Sequence, residues 1–409
     1  MTLTLSRTPR LRPPTPATAP FASTMTAFTL TAVLVSGQLY VVIPLLHDMA
    51  TGWATSPGGL TWLVTAFGIG YGIGFLVFGP LSDRYGRRRL LTIGLPLAAL
   101  TTALVALSPS PEVAMGLRAL QGIAVAMFPP AGMAYLGERL EPRRRVVAIA
   151  AVTGAFLASA VVLQVAAQLL VDVIGWRGLF GLSAAGFVLA ALGVRAVMLP
   201  DLPGEEADPG RAPRRAIGSL LSAYRPLPGL LVHRVLTLRY LATIMLMVGF
   251  VAVYTGLQIY GVSSPSELLA LRAAGLPSIV LMPLLMPWLA RIRRTTRAIV
   301  FMAAAALTLA VIGFTGTAVL VLLLALYVAA ITGGLPSMNE SISAEAGRAR
   351  GTALALFSAA LAVGGSVGPQ VAAAFGGFTP LMYGLAAGMA LSALFVLVST
   401  WTGGKTVQE

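Results

Sequence analysis

Gly79-Pro80-Leu81-Ser82-Asp83-Arg84-Tyr85-Gly86-Arg87-Arg88-Arg89 is a short polar insert between two long apolar runs. A helical run of about twenty apolar residues crosses a hydrocarbon core about 30 Å thick, so the insert reads as a turn at a membrane surface. Its spacing carries information beyond its charge. Gly79 permits close helix contact, Gly86 permits a tight turn, and Asp83 can pair with nearby arginines or face a helix N-terminus. Such contacts can form in one conformation and break in another, as a gate requires. An ordinary basic loop explains the arginines but not the placing of Gly79, Asp83 and Gly86.

Outward from this turn the apolar runs continue to both ends. Of 409 residues, 57% are hydrophobic and 10% charged, against roughly 25% charged in a soluble domain. The mean hydropathy of +0.86 places the chain in lipid. Spans are expected near 25–46, 58–80, 90–107, 112–136, 146–170 and 177–199, then 237–259, 267–289, 298–314, 317–336, 351–374 and 379–401. The net charge of +14 could suit nucleic acid, but the arginines gather in alternate loops. Arg84 and Arg87–Arg89, then Arg139 and Arg143–Arg145, then Arg291, Arg293, Arg294 and Arg297 share one side, with Arg177 opposite. The positive-inside rule makes that side, and both termini, cytoplasmic, where basic loops also meet anionic lipid headgroups. With no cysteine there is no thiol chemistry, and His47 and His233 are too far apart in sequence to suggest a metal site.

Residues 1–24 read as a disordered cytoplasmic tail, 25–199 as a first six-helix bundle, 200–236 as a cytoplasmic linker, 237–402 as a second bundle and 403–409 as a short tail. A weak repeat at an offset of about 207 sets Pro80 on Pro287, Glu138 on Glu345 and Arg143 on Arg350. Halves related in this way commonly enclose a site near the bilayer midplane.

The insert at 79–89 resembles the signature between the second and third helices of the major facilitator superfamily. Arg118-Ala119-Leu120-Gln121-Gly122 resembles the family's second motif, and the loop Glu138–Arg145 and Gly175-Trp176-Arg177-Gly178-Leu179-Phe180 are similar to its later junctions. In the second half the likeness rests on layout and on Gly364-Gly365-Ser366-Val367-Gly368-Pro369. The resemblance implies an all-α membrane protein with twelve transmembrane helices in two pseudo-symmetric six-helix bundles. It also implies a monomeric carrier without cofactor, working by alternating access on a small molecule, and its nearest likeness is to drug/proton antiporters of the inner membrane. The gating motif would comprise Gly79, Asp83, Arg84, Gly86, Arg87 and Arg88. The fifth span departs from the exporter pattern: Gly154-Ala155-Phe156-Leu157-Ala158-Ser159-Ala160 keeps one glycine and lacks the Gly-Pro and Gly-Gly elements. Uptake or exchange of an organic anion is therefore the alternative.

Polar side chains within apolar spans must be satisfied by protein, water or ligand. Gln38, Tyr40, Tyr71, Arg118, Gln121, Gly122, Gln164, Gln168, Tyr254, Gln258 and Arg272 are the candidates for a substrate path. Each can equally bind helix to helix. Arg118 faces protein or a water-filled cavity, or else ties helices together, and with Arg272 it could attract an anionic group. No carboxylate falls mid-span. If protons drive transport, the candidates are Asp83, the His47-Asp48 pair, or the substrate itself.

Overall fold

In a computed structural model the chain is described over residues 18–200, 227–260, 264–313, 317–347 and 350–403. Among the described residues, nine helical stretches are long and apolar enough to cross a membrane, with a shorter apolar helix at Phe21–Gly37. The path of the chain resolves these into twelve crossings. The first is α1 (Phe21–Gly37), followed by turns at 38–42, a 3-10 turn (Ile43–Leu45) and the short α2 (Leu46–Gly52) beyond it. The second and third are α3 (Trp62–Tyr85) and α4 (Arg87–Ala106), and the fourth is α5 (Pro111–Val125) with α6 (Phe128–Arg139).

The fifth and sixth crossings form one hydrogen-bonded run, α7 (Pro142–Val197), which reverses at Gly175, where φ is 66°. Glycine adopts that backbone without the Cβ clash other residues meet. After the short α8 (Leu227–Val232) come α9 (Arg234–Ile259), then α10 (Pro265–Ala273) with α11 (Leu276–Leu289) as the eighth crossing. The last four are α12 (Arg294–Ile312), α13 (Thr317–Glu345), α14 (Arg350–Ala374) and α15 (Phe378–Gly403).

Three spans expected to be continuous are broken. The first gives way after Gly37, the fourth between Val125 and Phe128, and the eighth between Ala273 and Leu276. Pro44, Pro129 and Pro277 stand in the first turn of the segment that resumes, where a missing N–H costs least. Hydropathy ended the tenth span at 336, but α13 runs through Pro336 to Glu345, because its last turns are polar. Residues 201–226, most of the expected linker, and residues 1–17 lie outside the described residues, whereas 227–232 and 234–236 are helical.

Leu189 is 70% exposed and Trp288 74%, while Arg118 is 0% and Arg272 1% exposed. An apolar exterior around charged interior residues is the arrangement lipid demands. Glycines set the closest approaches. A Cβ on Gly122 would stand 2.1 Å from the Phe67 carbonyl oxygen, and one on Gly70 2.1 Å from that of Ala119, so α3 and α5 touch through their backbones. Gly122→Ala should therefore destabilise the protein by about 1–3 kcal/mol. Gly181→Ala, where a Cβ meets nothing within 4 Å, should stay within about 0.5 kcal/mol. Thermal denaturation of both variants in detergent is the check.

Candidate functional site: the seam between the bundles

The turn at 79–89 is built as its glycines suggest at one end and differently at the other. Gly86, with φ 88°, lets α3 stop and α4 start without an intervening loop. Arg87 then donates from Nη2 to Glu138 Oε1 at 2.7 Å and from Nη1 to the Ser82 carbonyl at 3.2 Å. A Cβ on Gly79 would meet nothing within 4 Å, so the close contact expected of Gly79 is not made in this conformation. The side chains of Asp83 and Arg84 lie outside the described residues, and Arg88 is half-buried in the first turn of α4.

The second bundle repeats this tie. Arg297 on α12 pairs with Glu340 on α13, as Arg87 on α4 pairs with Glu138 on α6. Each joins the third crossing of its half to the fourth. Arg239 on α9 reaches Glu345 Oε2 at 3.2 Å, the Ser341 carbonyl at 2.8 Å and Ser399 Oγ at 3.2 Å. Sequence reading passed over Arg239, although an arginine inside the run 237–259 is the same signal that singled out Arg118 and Arg272. Among the described residues, every ion pair stays within one bundle.

Arg118, Gln121 and Gln38 are brought together inside the first bundle. Arg118 donates from Nε to the Leu63 carbonyl (3.3 Å), from Nη1 to Gln121 Oε1 (2.7 Å) and from Nη2 to the Gln38 carbonyl (2.8 Å). Gln121 Nε2 continues to Gln38 Oε1 (3.1 Å) and Thr102 Oγ1 (2.7 Å). The Gln38 carbonyl is free to accept because α1 has already ended. The guanidinium also lies 4.3 Å from the Phe67 ring centroid and 5.9 Å from that of Phe180, which offsets part of its desolvation. Gly122, next to Gln121, is the backbone contact with α3 described above.

A second network crosses between bundles at the end away from the arginine-rich turns. Arg272 of α10 donates to Gln168 Oε1 on α7 and, at 2.5 Å, to Gln258 Oε1 on α9. Gln258 Nε2 lies 3.1 Å from His47 Nδ1 on α2. On another pair of helices across the seam, Thr65 of α3 donates to the Ser366 carbonyl at 2.5 Å and accepts from Gln370 Nε2 at 3.0 Å, both on α14. Further in, the Tyr40 hydroxyl faces Met247 Sδ at 3.9 Å. Asp48 on α2 is pushed above the usual carboxylate range, chiefly by partial burial and then by the charge of Asp172.

The remaining candidates make no hydrogen bond to either network among the described residues. Tyr71 belongs to an aromatic ladder with Phe67 and Phe75. Gln164 donates to the Ala160 carbonyl in its own helix. Tyr254 is buried, and its hydroxyl has no hydrogen-bond partner. Arg118 and Arg272, expected to act together on an anion, sit in separate networks: the first is enclosed by first-bundle groups, and only the second spans the seam. The seam residues Thr65, Ser366 and Gln370 were not read from the sequence, since a threonine or serine in an apolar run gives no signal of its own.

Two helical bundles, each tied internally by charge, meet across a seam of polar contacts, the architecture of a polytopic membrane protein. The model of the Major Facilitator Superfamily matches residues 28–369, and the chain belongs to that superfamily. In a search of solved structures, a mutant of the nucleoside transporter NupG superposes with a TM-score of 0.67 at 12% identity, covering 92% of this chain and 99% of that one. Among curated proteins, an uncharacterised transporter of the superfamily, YybF of Bacillus subtilis, is 34% identical over 104 residues, 25% of this chain and 26% of the relative. The multidrug efflux pump LfrA of Mycolicibacterium smegmatis is 32% identical over 168 residues, 41% of this chain and 32% of the pump. A chloramphenicol resistance protein of Pseudomonas aeruginosa is 30% identical over 161 residues, 39% and 38% of the two chains. The chain thus spans well under half the length of these curated relatives.

Arg118→Lys retains the charge but gathers its donors on one nitrogen, which cannot reach three acceptors set around a planar guanidinium, so it should cost about 2–4 kcal/mol of stability, read as a lowered unfolding temperature. Thr65→Val removes two seam bonds with little change of shape. It should leave that temperature nearly unchanged while raising maleimide labelling of a cysteine at Leu39, which packs against Gly365 across the seam.

Proposed function

We propose that this chain is a secondary active exporter of small hydrophobic or amphipathic organic molecules, driven by proton entry and working by alternating access. It acts as a monomer in the cytoplasmic membrane with both termini cytoplasmic, and carries out no covalent chemistry. The single observation that carries this reading is the distribution of polar ties: ion pairs inside each bundle, and uncharged acceptors across the seam at one end. Two bodies held firmly within and loosely between can rock about a central site. The positive-inside rule supports reading the end opposite the arginine-rich turns as the outer one, and on that reading the seam bonds describe a state closed to the outside. Export is favoured by relatives named for multidrug efflux and antibiotic resistance.

Uptake or exchange of an organic anion is a second reading, favoured by Arg272, a buried cation with only amide acceptors. Vesicle orientation separates the two. Inside-out vesicles given an inward-acidic gradient should accumulate members of a panel of amphipathic dyes, and collapsing the gradient should abolish the uptake. Accumulation only in right-side-out vesicles would overturn export. In the same assay Asp83→Asn should lower turnover at least about tenfold, equivalent to about 1.4 kcal/mol of barrier, with expression unchanged.

A further inference from the structure

Among the described arginines Arg118 and Arg272 are the most deeply buried, at 0% and 1% exposed, and they differ in how their donors are met. Arg118 engages Nε, Nη1 and Nη2 and lies against two aromatic rings. Arg272 is equally enclosed, but its Nε has no hydrogen-bond partner, and no carboxylate pairs with it among the described residues. Its two acceptors are neutral amide oxygens, one of them on the other bundle. A buried guanidinium left in this state is expensive unless something of opposite charge completes it.

The surroundings repeat the deficit. One turn along α9 from Gln258, the Tyr254 hydroxyl is buried without a partner, within electrostatic reach of Arg272. It stands 3.4 Å from where a Cβ on Gly275 would lie, one turn beyond Arg272 at the break between α10 and α11. On α13 the Tyr327 hydroxyl is also buried and unpartnered, but it lies 3.1 Å from where a Cβ on Gly249 would stand, whereas its neighbour Val328 packs on Gly275. Two helices of the second bundle therefore bring an unpaired guanidinium N–H and an unpaired phenolic hydroxyl to one break in the eighth crossing. A Cβ on Gly275 would crowd Val328 at 3.0 Å as well as the Tyr254 hydroxyl, so the site is closed in this state and opens only as the bundles part.

We propose that Arg272 and Tyr254 form a subsite for an anionic oxygen group, a carboxylate or similar oxyanion, on the transported molecule. Gln168 of the first bundle holds the guanidinium while the outer end is closed, and the oxyanion takes its place when the bundles part. Because Gln168 and the oxyanion compete for one donor, the ligand binds the outwardly parted state more tightly and shifts the population toward it. A charge-assisted, forked contact is stronger than the neutral amide it replaces. This rests on reading the chain as a carrier of small organic molecules, and narrows that cargo to molecules bearing an anionic end.

The test compares 1-naphthoate with 1-naphthamide, which share an apolar body, by calorimetric titration of the purified full-length protein. Naphthoate should bind about tenfold tighter or better. Arg272→Gln should abolish that preference while sparing the amide, and Tyr254→Phe, which removes only a hydroxyl, should weaken naphthoate severalfold on an intact fold. Gln168→Ala, by removing the competitor, should tighten naphthoate and leave the amide unchanged. Equal affinity for the two probes, failure of naphthoate to bind, a preference that survives Arg272→Gln, or weaker naphthoate binding in Gln168→Ala would overturn the subsite. Preference for naphthoate in a protein that moves no amphipathic compound in vesicles would instead overturn the carrier reading alone.

Discussion

Charge cannot face hydrocarbon unpaired, and the way this chain obeys that constraint organises the rest of the structure. Its carboxylates lie toward the ends of the crossings, where Glu138, Glu340 and Glu345 each hold an arginine of their own bundle. The deeper arginines use backbone carbonyls, amides and ring faces instead. A buried ion pair broken by motion would strand a charge at a large cost, so pairs belong where nothing separates. Hydrogen bonds from Thr65, Tyr40 and Gln370 can be exchanged for water or ligand at small net cost, so they belong on the seam. Rigid halves and a yielding interface follow from the same accounting.

Broken helices serve this division. Backbone that leaves the helix at membrane depth is tolerated where protein encloses it, and each break here has a polar neighbour. The turns after Gly37 offer the Gln38 carbonyl to Arg118, and the break after Ala273 places Gly275 beside Tyr254. The break at Val125 follows the Gln121-Gly122 pair that joins Gln38, Thr102 and the α3 backbone. Interruptions of the hydrophobic rhythm mark where polar chemistry enters the membrane.

Much of this was legible in the sequence. Run length and arginine asymmetry gave the crossings, and the spacing of Gly79, Asp83 and Gly86 gave the family. Gln168, Gln258 and Arg272, chosen only as polar residues in apolar runs, proved to share one network, as did Gln38, Arg118 and Gln121. What escaped was pairing over distance. Nothing in the sequence says that Arg118 closes within its own half while Arg272 reaches across, because both present the same local pattern and differ only in tertiary neighbours. The helix breaks escaped for a similar reason, since proline and glycine in a membrane helix can kink, pack or interrupt with one composition.

The central claim is that the bundles move as two bodies, parting at one end as they meet at the other. The chain has no cysteine of its own, so spin labels can be placed in pairs without further change. Labels at Val173 and Ser266 report the outer end, and labels at Arg143 and Arg291 report the arginine-rich end; all four positions are exposed. Pulsed-resonance distances in nanodiscs, taken with and without Thr65→Val to weaken the seam, should change with opposite sign at the two ends. Distances that lengthen together, or that change at one end while the other stays fixed, would contradict the account.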